Sequence, residues 1–374
     1  MRSLATIIIC LSVFGFCVYG LIFIYSSTLD DFDSGQIHFS NEFKKQLMFY
    51  FTGFLALYVV SKIPYKKLID TAMFLYVLNL GMLLYVKFFG YVAGGARSWI
   101  NFGVTRFQPS ETMKICWILY MASVLKYNKE LRTVPGLFFP FIITGIPVLM
   151  IADQPDFGTA FTFIPTHFMI LYIAGAKKRH LFAVVAAGLL AILPMYQFGL
   201  SDYQKRRIDG FLNPDAHTQG SSYQMRNSIL AIGEGHILGK GVGNGRINQL
   251  SLLPESHTDF IFSIVASELG FVGAMGLVLC FTFFLTALCV LAYYTREPFG
   301  KICIISFAIL IGNQVFINLG VTLGLLPTTG ITLPFISSGG SSFVTCCLIV
   351  GIILSVSKHH VTVLGSDDFH SKHF

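Results

Sequence analysis

Apolar and polar positions along this chain fall into long alternating blocks. About ten apolar stretches of bilayer-crossing length, roughly 20 residues each, run approximately over 4–25, 45–61, 68–89, 109–125, 136–152, 157–175, 181–200, 259–291, 302–324 and 338–357. Each predicts a membrane-spanning helix. The first could pass for a secretory leader, with Arg2 ahead of an apolar run, but no convincing small-x-small site follows, and it is read as a span. The polar gaps alternate in sign. Arg2, Lys62, Lys66, Lys67, Lys126, Lys129, Arg132, Lys177, Lys178, Arg179, Arg296, Lys301 and Lys358 fall on one side; Asp30, Asp31, Asp33, Asp153 and Asp156 fall on the other. The positive-inside rule then puts both termini in the cytoplasm and leaves 90–108, a long connection at about 201–258 and a turn at 325–337 outside. The expected fold is all-α: one ten-span membrane domain over 1–358, a long external loop between the seventh and eighth spans, and a short cytoplasmic tail at 359–374.

Composition supports this division and excludes a soluble enzyme. The chain is 54% hydrophobic and 12% charged, with a mean hydropathy of +0.68, where soluble domains carry about 25% charged residues. Its eight cysteines, Cys10, Cys17, Cys116, Cys280, Cys289, Cys303, Cys346 and Cys347, all lie inside apolar runs and read as small buried hydrophobes rather than a disulfide framework or metal set. No nucleic-acid partner and no organic cofactor are expected.

The chemistry gathers around 254–262, where Asp259 and His257 stand at the entrance of a long apolar run. An ionisable residue at such a border needs a reason. One is capping, with Ser256 as N-cap and Asp259 three residues on; the other is a general base facing a substrate at the membrane surface. Glu268, nine residues further, falls on the opposite helix face roughly 13 Å deeper, so it cannot pair with Asp259 and is expected to bond a neighbouring helix. His257 suits a local hydrogen bond beside Asp259. His167, His359 and His360 carry no assigned chemistry.

Other polar sites each have two readings. Glu111 and Lys114, three apart, can neutralise one another inside a span, as a structural or a catalytic pair. Asp153 and Asp156 offer oxygen ligands for a divalent cation, or turn chemistry around Pro155. The outer loop carries Lys205, Arg206, Arg207, Arg226, Lys240 and Arg246, which suit anionic head groups or a phosphorylated ligand. Glycines at 233, 235, 239, 241, 243 and 245 permit close approach to a ligand, or a flexible hinge; no P-loop is present.

Seven ordered motifs resemble those of the SEDS family (shape, elongation, division and sporulation). They are Gly95-Ala96-Arg97-Ser98-Trp99, Gln108-Pro109-Ser110-Glu111 with Lys114, Gln154-Pro155-Asp156 with Gly158, Ala231-Ile232-Gly233, Leu253 to Phe262, Glu268-Leu269-Gly270 and Leu326 to Ser342. The resemblance covers nearly the whole chain. It implies a ten-span peptidoglycan glycosyltransferase of the bacterial cytoplasmic (inner) membrane that polymerises lipid II onto undecaprenyl-diphosphate-linked glycan. It would work beside a class B penicillin-binding protein and other divisome or elongasome membrane proteins. The family's essential aspartate falls on Asp259, its ion pair on Glu111 and Lys114, its loop tryptophan on Trp99 and its outer-leaflet aspartate on Asp156. The Leu253 to Asp259 segment and Gly241-Val242-Gly243-Asn244 look more like the division branch than the elongation branch. Ser98, Ser338, Glu234 and His236 depart from the family pattern.

On that resemblance Asp259 would take the proton of an attacking sugar hydroxyl, an effect worth about 10²–10⁴ in rate. Substrate contacts are expected from Arg97, Trp99, Glu111, Lys114, Asp156, Arg206, Arg207, Arg226, Lys240 and His257, with a divalent cation, Mg2+ or Mn2+, as a possible helper at the leaving diphosphate. A lipid-open groove beneath the long loop should hold the lipid tails. A lipid flippase and a non-catalytic scaffold are the rival functions.

Overall fold

In lipid every backbone donor and acceptor must find a partner within the protein, so apolar runs of this length become helices. The computed structural model describes residues 2–28, 40–93, 96–103, 105–126, 128–194, 205, 209–211, 221–245 and 257–367. The helices are α1 (Arg2–Ser27), α2 (Asn41–Lys62), α3 (Tyr65–Phe89), α4 (Pro109–Leu125), α5 (Val134–Asp153), α6 (Phe157–Ile173), α7 (Lys178–Pro194), α8 (Ser221–Glu234), α9 (Ile261–Tyr294), α10 (Pro298–Thr322) and α11 (Gly340–Asp367). Among the described residues, six of these are long and apolar enough to cross a membrane: α1, α3, α5, α9, α10 and most of α11. Side chains such as Leu11, Phe51, Phe74 and Phe283 point outward, as surfaces do when the solvent is hydrocarbon. The chain is a multi-pass membrane protein.

Local chemistry sets where the helices begin. Ser40, Thr133, Asp156 and Glu297 accept from amides in the first turns of α2, α5, α6 and α10, and proline opens α4 and α10 where its missing N–H costs nothing. In the bundle α2 packs along α11, α3 along α4, and α9 between α1 and α10. At the end away from the site described below, the Arg2 guanidinium donates to the Ser357 carbonyl at 2.5 Å, tying α1 to α11.

Several expectations are corrected. The fold is not purely helical: 90–108 holds a small antiparallel sheet in the order β1 (Tyr91–Ala93), β2 (Ala96–Asn101) and β3 (Arg106–Phe107). The long connection contains α8. Helix α9 begins at Ile261 behind Phe260, with no side-chain cap, so Asp259 precedes the helix rather than capping it; Ser256 lies outside the described residues. Cys10, Cys280 and Cys289 sit on the outward surface rather than in the core, because apolar runs here face lipid as well as protein.

The glycine cluster has a use that neither sequence reading foresaw. Helix α9 is broken at Gly270 (φ 67°, ψ −165°), which frees backbone groups inside the bundle. The loop after α8 supplies their partners. Lys240 and Gly241 donate their amides to the Ser267 and Glu268 carbonyls at 3.1 and 2.9 Å, while Phe271 and Val272 donate to the His236 and Ile237 carbonyls at 2.9 and 3.1 Å. Such contact demands bare backbone: a Cβ on Gly239, at φ 79°, would run into the Glu268 carbonyl. The Ser26 hydroxyl donates to the Glu268 carboxylate, so Glu268 does bond a neighbouring helix. Replacing Gly239 by Ala should destabilise the fold by about 1–3 kcal/mol, read as a lowered unfolding midpoint of the purified chain in lipid nanodiscs.

Candidate active site

Three irregular segments meet where the polar ends of several helices converge: the small sheet, the residues leading into α9, and the turn between α10 and α11. They border a partly open cavity of about 1310 Å³ whose lining includes Trp99, Glu111, Lys114, Asp156, His257 and Asp259.

Asp259 is placed by backbone clamps from its neighbours. The Asn318 carboxamide, on α10, donates at 2.8 Å to both the Asp259 and the Ile331 carbonyls, binding the start of α9 to the α10–α11 turn. Two residues earlier, the Ser338 amide donates to the His257 carbonyl at 2.9 Å. Gly330 lies in this turn at φ 74°, which favours glycine, and a Cβ there would stand in ordinary contact with the Asp259 carboxylate at 3.6 Å. His257 thus holds the turn through its backbone, while its residue as a whole lines the cavity.

Beneath Asp259 the charged groups of α4 and α6 face each other. Lys114 and Glu111 form an ion pair at 2.6 Å and are only 2% and 8% exposed. The one-turn spacing at the start of α4 makes this geometry intrinsic to the helix. Asp156 caps α6 by accepting from the Thr159 amide at 3.2 Å, and its other oxygen accepts from Gln108 at 2.9 Å and Ser110 at 3.3 Å. Desolvation in this cleft pushes the Asp156 carboxyl above the ordinary carboxylate range, against the pull of the Thr159 hydrogen bonds; the Glu111 charge adds to the rise and Lys114 opposes it. Gly158, the second residue of α6, lets the helix press against the Thr329 carbonyl.

The cationic residues are distributed differently from expectation. Arg97, Arg226 and Lys240 are exposed and lie outside the cavity lining. Arg97 pairs with Val92 in the sheet and, by the alternation of a strand, points away from the side that buries Ser98. Lys240 belongs to the loop that patches α9. Arg206 and Arg207, like Arg246, lie outside the described residues. Lys45, on the first turns of α2, and Arg106, stacked over Tyr91 at 4.7 Å, line the cavity instead. Sequence reasoning missed both. Arg106 had a signal, a cation two residues before Gln108 in an external loop; Lys45 had none beyond its position at a span border.

The expected cation ligands are not assembled. Asp153 pairs with Lys87 at 2.8 Å, and both Asp156 oxygens already accept hydrogen bonds. Among the described residues no group of three or more His, Cys, Asp or Glu side chains is gathered.

The chain resembles known proteins along nearly its whole length. The profile of the family described as cell cycle protein, FtsW/RodA/SpoVE, matches residues 5–362. The chain belongs to the SEDS family. Among SEDS relatives, it is 34% identical over 362 residues to a probable peptidoglycan glycosyltransferase FtsW of Coxiella burnetii, covering 94% of this chain and 95% of that one. It is 35% identical to the stage V sporulation protein E of Bacillus subtilis, covering 91% and 93%. A chain solved within a peptidoglycan synthase complex, described by its coordination of polymerisation and crosslinking, superposes with a TM-score of 0.82 at 28% identity, covering 94% and 97%. The rod shape determining protein RodA of Thermus thermophilus superposes at 0.71 with 26% identity, covering 94% and 96%.

Two measurements test the electrostatics of this SEDS site. Glu111→Gln strands a buried ammonium and should cost about 3–5 kcal/mol, whereas adding Lys114→Met should recover most of that loss in unfolding midpoint. For Asp156 the sign follows from a folded-state carboxyl held above its unfolded value. Its stabilising contribution is complete below about pH 4 and is lost as pH rises through the folded value. The unaltered chain should therefore lose stability relative to Asp156→Asn as pH climbs from about 4.

Proposed function

We propose that Asp259 is the general base with which this peptidoglycan glycosyltransferase polymerises lipid II at the outer face of the bacterial cytoplasmic membrane. The activity class rests on family membership and on relatives of that name matching the chain nearly end to end. The supporting observation for the residue is that Asp259 borders the cavity on a backbone anchored from α10 and from the α10–α11 turn. In this reading the ten apolar stretches are ten spans, both termini are cytoplasmic and the cavity opens outward. The lipid tails lie in a groove between spans.

The chemistry is a direct displacement. The 4-hydroxyl of one lipid-linked disaccharide attacks the anomeric carbon of the polymer attached to undecaprenyl diphosphate. The new C–O bond forms as the bond to the diphosphate breaks, with the electron pair leaving on the diphosphate oxygen. Asp259 takes the hydroxyl proton. Lys45, Arg106 and Lys114 are the described cations that line the cavity, and they are placed to offset the developing negative charge. A single displacement inverts the anomeric configuration, so an α-linked donor gives a β-linked strand. A transpeptidase of the class B penicillin-binding type is the partner, by analogy with the synthase complex that the fold resembles. A division role is favoured by the FtsW-named relatives.

Purified chain with its partner should convert lipid II into glycan strands resolved on a gel, and Asp259→Ala should reduce the rate by about 10²–10⁴. Intact polymer from the variant would overturn the base assignment; lipid movement across a bilayer without polymer would favour a transporter.

A further inference from the structure

A buried polar group normally has a hydrogen-bond partner, because leaving one unpaired is costly. Three residues of the cavity wall meet this requirement through the cavity and not through the protein. Ser98 on β2, Gln314 on α10 and Ser338 before α11 are 2%, 5% and 9% exposed as residues, and among the described residues no hydrogen bond joins their side chains to the protein, so their polar atoms stay open to the cavity. All three line the cavity. They differ from the charged groups there, which are paired or capped: Glu111 with Lys114, Asp156 on α6. Neutral donors and acceptors left open in this way match a neutral, hydroxyl- and amide-bearing ligand rather than a phosphate.

Gln314 has the most defined place. It stands four residues before Asn318 on α10, hence on nearly the same helix face and about 6 Å deeper. Asn318 holds the Asp259 carbonyl, so Gln314 lies one turn beneath the anchored aspartate. Its carboxamide offers two donors and an acceptor, the complement of a secondary amide. The amino sugars of lipid II carry such an amide at C2, adjacent to the anomeric carbon at which displacement occurs.

We propose that Ser98, Gln314 and Ser338 form a neutral saccharide-reading wall, in which the Gln314 carboxamide binds the acetamido group next to the reacting anomeric carbon. This rests on the glycosyltransferase reading and names the part of the substrate that the site recognises. Gln314 is a specificity residue in this scheme: it touches the sugar and takes no proton.

The test uses the full-length chain in lipid nanodiscs with two probes, lipid II and a lipid II analogue bearing a hydroxyl in place of that acetamido group. Binding and polymerisation are both measured. Gln314→Leu should weaken lipid II binding about tenfold to hundredfold with kcat changed only a few-fold, the pattern of lost uniform binding. The analogue should suffer a similar loss on the unaltered chain and no further loss on Gln314→Leu, since removing either side of one contact removes the same contact. The unfolding midpoint without lipid II should stay level, because the replaced amide makes no hydrogen bond within the protein; Gln314→Met should behave alike. A fall in that midpoint, unchanged lipid II binding, or losses that multiply would overturn the proposal. If the unaltered chain polymerises lipid II while Gln314 proves indifferent, the glycosyltransferase reading stands and this one falls. Failure of the unaltered chain to bind lipid II overturns both.

Discussion

The side-chain amide of Asn318, with the Ser338 backbone amide beside it, holds together the two backbone segments on which the site depends. The entry to α9 and the α10–α11 turn are both irregular, so each carries carbonyls that no helix satisfies. At the edge of a hydrocarbon layer such groups are tolerated only where the protein supplies partners. Asn318 donates to one carbonyl from each segment and so fixes Asp259 against Ile331. The same logic operates deeper in α9, where the break at Gly270 is patched by the backbone of the glycine loop. The irregular backbone at the entry to α9 and in the α10–α11 turn borders one cavity, and its repair by neighbouring elements makes that cavity a built structure.

The charges obey a related economy. Lys114 is almost wholly buried and is matched by Glu111 one turn away; Asp156 spends its acceptors on Gln108, Ser110 and an α6 amide. Acidic and basic groups are therefore held in fixed places before any substrate arrives, which is the condition for electrostatic preorganisation. Among the described residues of the cavity wall, the neutral Ser98, Gln314 and Ser338 are left without a side-chain hydrogen bond to the protein. A surface with its charges settled and its neutral hydrogen-bonding groups open is suited to distinguishing sugars.

Much of this could be read from the chain in advance. The apolar blocks located the helices to within a few residues at most ends, because burial in lipid forces helical hydrogen bonding whatever the neighbours do. The Glu111–Lys114 pair was legible for the same reason: its geometry is internal to one helix. The glycine cluster was visible, but its meaning was not. Its partner, the Ser267 to Val272 segment, is distant in sequence, and only the packing shows backbone meeting backbone. The small sheet was missed because its strands are short and lie in a loop whose pairing is a tertiary matter.

What the sequence determined by itself is the class: a helical membrane protein of a family recognisable from ordered motifs, with Asp259 at a span border. Period and composition settle these because they act residue by residue. The three-dimensional fold decided which polar residues share the cavity. It brought Lys45, Arg106, Gln314 and Ser338 to the wall that holds Asp259 and left Arg97, Arg226 and Lys240 at the surface. That choice depends on strand facing, on where α9 begins and on which carbonyls lack partners, all of which are set by contacts between segments far apart along the chain.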